Sequence, residues 1–174
     1  MKLKIINNKT NMPRIGLLSD THSFINPRIL EFFGSCDEIW HAGDIGNLET
    51  ADKLASFKPL KAVYGNIDGI ELRTSYPKNQ AFMCENVKVM ITHIGGYPGR
   101  YEKDARQLIE TEKPGLFICG HSHILKVIYD KKYELLHMNP GAAGNSGFHN
   151  VITCLRFVID GKDIRDLEVF EKQR

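Results

Sequence analysis

Five short polar clusters in the sequence contain side chains that are able to bind metal ions. They are Ser19-Asp20-Thr21-His22, Gly43-Asp44, Gly65-Asn66, Thr92-His93 and Gly120-His121-Ser122-His123. Carboxylate and imidazole ligands together suit borderline transition ions such as Mn²⁺, Fe²⁺, Zn²⁺ or Ni²⁺. The seven potential ligands are Asp20, His22, Asp44, Asn66, His93, His121 and His123. This number is too large for one tetrahedral ion. With a bridging carboxylate it fits two ions about 3.5 to 4 Å apart, the separation used for in-line displacement at phosphorus.

Each of these clusters directly follows an apolar segment of strand length. Such segments cover residues 14–18, 38–40, 60–64, 87–92 and 116–119. In open α/β sheets, ligands bind in the crevice beyond the carboxyl ends of the strands, so we expect the five clusters to converge. Glycines beside several of the ligands allow the backbone to turn sharply there.

The elements that carry the clusters alternate between strand and helix periodicity in the first half of the chain. Helices are predicted over residues 26–33 and 48–57, and this βαβαβ order predicts parallel strands with crossover helices. After Gly65 we predict a loop through Pro77, a hairpin of strands 80–84 and 87–92, a helix over 101–112, and strands over 116–119, 124–130, 133–138, 151–159 and 164–170. Together the elements predict one α/β domain with two sheets packed face to face and helices outside.

Size, charge and cysteine content narrow the class of protein. The 174 residues, of which 42% are hydrophobic, are enough for one domain with a sizeable core. A formal net charge of +2 indicates no broad basic surface of the kind that binds nucleic acids or membranes. The four cysteines, Cys36, Cys84, Cys119 and Cys154, form no CxxC pair, and we predict free thiols in a reducing compartment.

The N-terminal segment MKLKIINNKTN has only a short apolar patch. This patch is too short for a signal-peptide core or a membrane span, so we expect a cytoplasmic protein without a membrane partner. The patterned sequence begins with PRIGLLSD directly after Met12. We therefore interpret residues 1–11 as an added or poorly ordered extension and residues 12–174 as the domain.

The ordered set D-x-H, G-D, G-N, H and G-H-x-H resembles the calcineurin-like metallophosphoesterase superfamily, in particular its small bacterial and archaeal phosphodiesterase branch. The resemblance extends from Arg14 to about Gly144 and includes the N-P-G segment at residues 139–141. It implies a four-layer α/β/β/α sandwich of two mixed sheets. It also implies two metal sites that share Asp44: one contains Asp20, His22, Asp44 and His123, and the other contains Asp44, Asn66, His93 and His121.

The resemblance further implies hydrolysis of a phosphate ester, and in this branch a phosphodiester. The attacking group would be a water or hydroxide between two divalent ions, for which Mn²⁺ is our first expectation. We place Asp44, Asn66 and Asp68 in the catalytic group. Many members of the superfamily have G-N-H-[DE], in which the histidine protonates the leaving group, but Ile67 occupies that position here. An apolar side chain donates no proton, so we expect a preference for good leaving groups or another donor, with His41 and Asp68 the nearest candidates.

Other residues near the clusters have two interpretations each. The turn-rich segment 95–101 is either an ordinary connection or a specificity loop in which Arg100 binds a substrate phosphate. We interpret His41 as a packing or supporting residue beside the site, with a substrate contact as the alternative. His137 and His149 are interpreted as structural or surface residues.

Two alternatives are weighed against this enzyme: a scaffold from a different functional class and a nuclease within the same superfamily. One eukaryotic relative of the branch is a scaffold subunit of a vesicle-coat complex, so a non-catalytic scaffold on the same fold is the main alternative. The seven intact ligands argue against it, because a pure scaffold does not need them. A nuclease is less favoured, since a near-neutral chain lacks a basic groove for a phosphate backbone. We therefore expect a small phosphoester substrate and allow for a homodimer or higher oligomer. The sequence identifies neither the natural substrate nor the native metal.

Overall fold

The structure is a computed structural model that describes residues 12–174. These residues form twelve strands and four α-helices. The strands are β1 (Arg14–Leu18), β2 (Glu38–His41), β3 (Leu60–Ala62), β4 (Asn79–Cys84), β5 (Val87–Thr92), β6 (Gly96–Tyr97), β7 (Arg100–Tyr101), β8 (Leu116–Ile118), β9 (Leu125–Asp130), β10 (Leu135–Pro140), β11 (Val151–Asp160) and β12 (Asp163–Gln173). The helices are α1 (Pro27–Phe32), α2 (Leu48–Phe57), α3 (Ile70–Ser75) and α4 (Lys103–Glu112), and a 3₁₀ turn over Phe33–Ser35 follows α1. The predicted extension over residues 1–11 lies outside the described residues.

Most of these strands form two mixed five-stranded sheets. The first has the order β12-β11-β1-β2-β3, in which β1, β2 and β3 are parallel and β11 and β12 are antiparallel to their neighbours. The second has the order β4-β5-β8-β10-β9, in which β5, β8 and β10 are parallel and the two edge strands are antiparallel. The carboxyl ends of the parallel strands therefore form one edge in each sheet.

A shared apolar core fills the space between the two sheets. Ile15, Leu17 and Trp40 of the first sheet and Ile91 and Ile118 of the second are fully buried in one cluster. Their spacing follows from the two-residue period of a strand, which directs alternate side chains to the same face. Burial of a large apolar side chain contributes about 1.5 to 3 kcal/mol, so this core holds the strand ends in fixed positions.

Helices cover the outer faces of both sheets. Ile29 of α1 and Phe33 of the 3₁₀ turn pack in one buried cluster with residues of β1 and β2. Gly16 is required beneath Phe33, because a Cβ at that position would lie 2.8 Å from the ring. On the second sheet, α4 packs through a buried cluster that includes Ala105 and Ile109. The layers are thus α/β/β/α, which confirms the predicted fold class.

Three segments differ from the sequence prediction. The loop predicted between Gly65 and Pro77 contains α3, whose six residues are too few to show a helical period. The turn-rich segment 95–101 contains an antiparallel ribbon of β6 and β7, so α4 begins at Lys103. Strand β12 continues to Gln173 because it pairs with β11 along that strand's whole length.

The four cysteines are free thiols, as predicted. Cys36, Cys119 and Cys154 are buried, and burial raises the pKa of Cys36 to about 11. Within residues 12–174, no helix has both the length and the apolar character needed to cross a bilayer.

Candidate metal centre

The five polar clusters meet at the carboxyl ends of the parallel strands. Strands β1, β2 and β3 of the first sheet and β5 and β8 of the second precede them. Strand β1 is followed by Asp20 and His22, β2 by Asp44, β3 by Asn66, β5 by His93, and β8 by His121 and His123. The expected convergence of these side chains is observed, while their binding of metal remains a prediction.

Asp20, His22 and His123 form the first group of potential ligands. Each offers one ligand atom, and these atoms lie within 4.8 Å of one another. His123 Nε2 is 3.2 Å from Asp20 Oδ1 and 3.4 Å from His22 Nε2. A carboxylate oxygen and two imidazole nitrogens therefore face a common space.

Asp44, His93 and His121 form the second group, with ligand atoms again within 4.8 Å of one another. His93 Nε2 is 3.3 Å from Asp44 Oδ1 and 3.0 Å from Asn66 Oδ1, so the amide of Asn66 belongs to this group as well. His93 Nδ1 lies 2.8 Å from the carbonyl oxygen of Ala42. Because a carbonyl only accepts, the ring hydrogen is on Nδ1, which leaves Nε2 free to act as a ligand.

The two groups adjoin through their carboxylates. His22 Nε2 of the first group lies 4.0 Å from Asp44 Oδ2, and His93 Nε2 of the second lies 4.0 Å from Asp20 Oδ1. Asp44 therefore presents Oδ2 to the first group and Oδ1 to the second. A carboxylate placed in this way could be shared by two adjacent ions.

The buried carboxylate of Asp20 has surroundings that suit a cation in the first group. Its Oδ1 is buried and has no hydrogen-bond partner among residues 12–174, although the Nε2 atoms of three histidines lie 3.2 to 4.0 Å away. A buried carboxylate oxygen without a partner is costly. A divalent cation between this oxygen and the imidazoles would remove that cost. The mixture of carboxylate, amide and imidazole donors suits transition metal ions.

Charges within the site change the pKa values of Asp44 and His93. Burial by itself raises the pKa of Asp44, but the hydrogen bond and charge of His93 outweigh burial and lower this pKa below its ordinary value. Burial by itself lowers the pKa of His93, but the hydrogen bond to Asp44 and the charge of Asp20 raise it above its ordinary value. These neighbours thus favour protonation of His93, and a bound metal ion would compete with a proton for Nε2.

Five of the seven potential ligands have a left-handed backbone conformation. Their φ angles lie between 47° and 67°, and they are Asp20, His22, Asp44, His121 and His123. This conformation is uncommon for residues other than glycine and costs of order 1 kcal/mol each. Backbone strain of this kind is concentrated at functional sites, where the surrounding structure maintains it.

Asp68 holds two of the ligand loops together. Its Oδ2 accepts hydrogen bonds from the backbone N–H groups of Gly65 at 2.7 Å and Ile45 at 3.2 Å, and its Oδ1 accepts one from Gly46 at 2.7 Å. The side chain is only 2% exposed and both oxygens are engaged. The catalytic role of Asp68, including its candidacy as a proton donor, stays a prediction. Its side chain positions the loops that carry Asp44 and Asn66.

His41 lies beneath the site. It is fully buried, with Nε2 2.9 Å from Thr21 Oγ1 and with Nδ1 accepting the N–H of Gly43 at 3.1 Å. Burial lowers its pKa to about 4, against the charges of Asp68 and Asp20. Both ring nitrogens are engaged, which favours the interpretation of His41 as a packing and supporting residue. Its substrate contact and its proton-donor role stay predictions.

Two other supporting residues hold the ligand loops from outside. Arg73 of α3 donates from Nε to the carbonyl oxygen of Asp68 at 2.6 Å and from Nη2 to that of Asn66 at 3.0 Å. Asn139 donates from Nδ2 to the carbonyl oxygen of Gly120 at 2.8 Å and so fixes the start of the His121 loop. The N-P-G segment was the only sequence signal for Asn139. Arg73 had none, because its helix was predicted as a loop.

His149 also contacts a potential ligand. Its Nδ1 lies 3.1 Å from His123 Nδ1, across the ring from the Nε2 that faces Asp20. Burial, followed by the charge of Arg174, lowers the pKa of His149 to about 4, so the ring is neutral near neutral pH. No local pattern marks this residue, because only the fold brings it to His123.

A cavity of about 490 Å³ adjoins the second group. Acidic, basic and apolar residues line it. They are Tyr64, Gly65, Asn66, Arg73, Lys78, Asn79, Thr92, His93, Ile94, Glu102, Lys103 and Asp104. Arg100 is exposed on β7 and is not among the residues found to line this cavity within the described chain. Its contact with a substrate phosphate remains a prediction.

An α/β/β/α sandwich with adjoining carboxylate and imidazole groups at the strand ends defines the metallophosphoesterase class of proteins. Residues 13–162 match the model of the calcineurin-like phosphoesterase superfamily domain, and the chain belongs to this family. The resemblance inferred from the sequence is thereby confirmed.

Similar proteins agree with this assignment. A relative from Methanothermobacter thermautotrophicus, described as a "Probable metallophosphoesterase", is 29% identical over 136 residues, which cover 74% of this chain and 76% of the relative. A solved structure of a predicted phosphoesterase from Streptococcus pneumoniae has a TM-score of 0.63 at 19% identity and covers 92% of this chain and 98% of that one. The structure of Vps29 from Entamoeba histolytica with Zn²⁺ has a TM-score of 0.65 at 16% identity and covers 91% and 98%. The two solved structures show the same fold.

Proposed function

We propose that this chain is a hydrolase that cleaves phosphodiesters at a centre for two divalent metal ions. The observation that carries the proposal is the pair of adjoining ligand groups, to which Asp44 offers one carboxylate oxygen each. Membership of the phosphoesterase family supports the reaction class. Divalent ions bound there would acidify water and polarise phosphoryl oxygens.

In this proposal Asp44 is the shared ligand of the two groups. The first ion is held by Asp20, His22, Asp44 and His123, and the second by Asp44, Asn66, His93 and His121. Nitrogen and oxygen donors in this mixture suit Mn²⁺, and also Fe²⁺, Zn²⁺ or Ni²⁺. The zinc in the Vps29 structure supports metal binding by this fold.

The cavity beside the second group favours a diester over a monoester. A phosphodiester has a second substituent, which needs space next to the phosphate. The cavity provides about 490 Å³ beside His93, which lies within the usual range for a small-molecule site. Tyr64 offers an aromatic surface there, and Lys78 and Lys103 offer positive charge.

The residues near the ligands determine which leaving groups are favoured. Ile67 has no proton to donate, and its backbone N–H is bonded to Asp44 Oδ1 at 3.1 Å. His41 and Asp68 are engaged beneath the site. We therefore propose that the enzyme prefers leaving groups of low pKa, such as nitrophenolate, which need little protonation.

Turnover of bis-p-nitrophenyl phosphate in added Mn²⁺ tests the proposal. We expect release of nitrophenol that stops when a chelator is added and that is lost in the Asp44→Asn variant. The control is Asp52→Asn, which removes an exposed carboxylate on α2 and should leave turnover unchanged. Protein that contains metal by elemental analysis but hydrolyses neither monoesters nor diesters would contradict the proposed reaction.

A non-catalytic scaffold on the same fold is the second candidate, and one observation favours it. Apolar side chains adjacent to ligands or to His149 are exposed: Ile67 (48%), Ile94 (41%), Ile124 (61%) and Phe148 (107%). Exposed apolar surface of this kind marks interaction sites. A structure of Vps29, which has the same fold, contains Zn²⁺, so metal binding alone does not distinguish a hydrolase from a scaffold. Turnover does, since a scaffold would bind metal without hydrolysing either ester.

A further inference from the structure

The cavity beside the second ligand group contains a cation that no carboxylate neutralises. Arg73 of α3 lines this cavity together with Asn66 and His93. Its Nε and Nη2 donate to the carbonyl oxygens of Asp68 and Asn66, which are neutral acceptors. Among residues 12–174, no carboxylate forms an ion pair with the Arg73 guanidinium. Its positive charge is therefore available to a molecule bound in the cavity.

Three contacts hold the guanidinium of Arg73 in place. The two carbonyl oxygens lie 2.6 and 3.0 Å from Nε and Nη2, and Cζ lies over the ring of Tyr64 at 5.0 Å from its centroid. A guanidinium has five N–H donors in a planar fork, and these two hydrogen bonds use two of them. Within the described residues Nη1 makes no hydrogen bond. Because the group is already fixed, an acceptor that binds to its remaining donors orders little further.

The other charged side chains of the cavity lining balance one another. Lys78 Nζ and Asp104 Oδ2 lie 3.5 Å apart and form an exposed ion pair. Glu102 and Lys103 follow one another in the chain and have opposite charges. Arg73 thus leaves the lining with a formal charge of +1 when the histidine is counted as neutral. This balance favours a bound group that is negatively charged.

The position of Arg73 relative to the ligands indicates which part of a substrate it would contact. Arg73 bonds the backbone carbonyl of Asn66, whereas the side chain of Asn66 belongs to the second ligand group, with Oδ1 3.0 Å from His93 Nε2. A phosphate at the metal centre would lie on the side of that amide. A substituent that extends from the phosphate into the cavity would pass beside Arg73, because both residues line the same space.

We propose that Arg73 is a specificity-determining residue, and that the substrate has a second anionic group, a carboxylate or a phosphate, in the substituent that occupies the cavity. The inference rests on the phosphodiesterase function proposed above. The planar guanidinium matches the oxygen pairs of both anions, and charge-assisted hydrogen bonds are about twice as strong as neutral ones. Arg73 takes no part in the bond changes at phosphorus. It selects the substrate through the group that the cavity holds.

Hydrolysis of three p-nitrophenyl phosphodiesters in added Mn²⁺ tests the selection. Their other substituents are butyl, 3-carboxypropyl and 3-phosphonooxypropyl, and in each case one water releases p-nitrophenolate. We expect kcat/KM for either anionic ester to exceed that for the butyl ester about 10-fold, and the ratio to fall to about one in Arg73→Met. Tyr64→Leu keeps the loop hydrogen bonds and should lower the ratio about 3-fold. Arg165→Met, which removes an exposed guanidinium paired with Asp160, is the control and should keep the wild-type ratio. Because the ratio compares esters on one protein, a general loss of activity in Arg73→Met cancels.

A binding measurement distinguishes this inference from the proposed function. By calorimetry, protein loaded with Mn²⁺ should bind propane-1,3-diyl bisphosphate about 10-fold more tightly than propyl phosphate, and Arg73→Met should lose this preference. If the wild type shows the preference but hydrolyses no ester, the proposed hydrolysis fails and the role of Arg73 stands. Hydrolysis of all three esters with equal kcat/KM overturns the inference and leaves the proposed function intact. A preference that persists in Arg73→Met overturns the role of Arg73, and a protein that binds neither phosphate refutes both proposals.

Discussion

His137 is a buried histidine that we predict makes stability depend on pH. The side chain on β10 is fully buried, and neither ring nitrogen has a hydrogen-bond partner among residues 12–174. Tyr101 and Phe117 flank the ring, with centroids 6.0 and 5.9 Å away. Burial, followed by the charge of Lys126, lowers the pKa of His137 to about 4, although Asp130 opposes this change. The folded protein therefore requires the neutral ring.

The sign and size of the effect follow from the two pKa values. The unfolded chain has the ordinary value of 6.5 and binds the proton first as the pH falls. The stability that depends on the neutral ring is therefore present above pH 6.5 and is lost progressively between pH 6.5 and 4. A difference of about 2.5 units corresponds to about 3 kcal/mol, of which about 2 kcal/mol is lost by about pH 5.

Urea unfolding of the wild type and His137→Leu between about pH 7 and 5 measures the contribution of His137 to the pH dependence of stability. As the pH falls, we expect the free energy of unfolding of the variant to gain about 2 kcal/mol relative to the wild type, because titrations common to both proteins cancel. Met138→Leu, which changes the neighbouring residue in the core between the sheets, has no titrating group and should differ from the wild type by a constant amount. Parallel curves for the wild type and His137→Leu would refute the reasoning.

Three further changes test the candidate site. Asp20→Asn should abolish metal binding yet leave metal-free stability at or above that of the wild type, because Oδ1 lacks a partner; thermal unfolding in chelator measures this, and a less stable variant contradicts it. Gly65→Ala places a Cβ 2.0 Å from Asp44 Oδ1 and should weaken Mn²⁺ binding at least about 10-fold by calorimetry. The control Gly69→Ala adds a Cβ that meets nothing within 4 Å and should not change the affinity for Mn²⁺. Equal affinities of Gly65→Ala and the wild type would show that Asp44 moves freely. Arg73→Met removes two hydrogen bonds to loop carbonyls and should lower the free energy of urea unfolding by about 1 to 3 kcal/mol; an unchanged value would show that the ligand loop does not need this residue.

The positions of the potential ligands could be predicted because each follows a strand that has a clear apolar pattern. The carboxyl ends of parallel strands meet at one edge, so a residue such as Asn66 approaches His93 although 27 residues separate them. The surroundings of His41 follow from the end of β2, one residue beyond the predicted end of that strand. The strand continues through His41, and strand alternation directs this side chain away from the core face that Trp40 occupies, into contact with Thr21.

The supporting residues could not be predicted, because they act through contacts that no local pattern encodes. Arg73 reaches two backbone carbonyls from a six-residue helix, which is too short for a periodic signal. His149 meets His123 only because the segment before β11 folds back at Gly147. Backbone turning and tertiary contact decide such positions, and neither follows from the identity of the residue alone.

The strain at the ligand loops and the unpaired oxygen of Asp20 have a common explanation. Left-handed conformations at Asp20, His22 and Asp44, together with a buried oxygen that lacks a partner among residues 12–174, lower stability. They are maintained by bonds between the loops after β1 and β2, from the N–H of Asp20 to Gly43 O at 2.9 Å and from that of His22 to Asp44 O at 3.1 Å. A cation bound between these ligand groups would add stability by mass action and so would offset the strain and the unpaired oxygen.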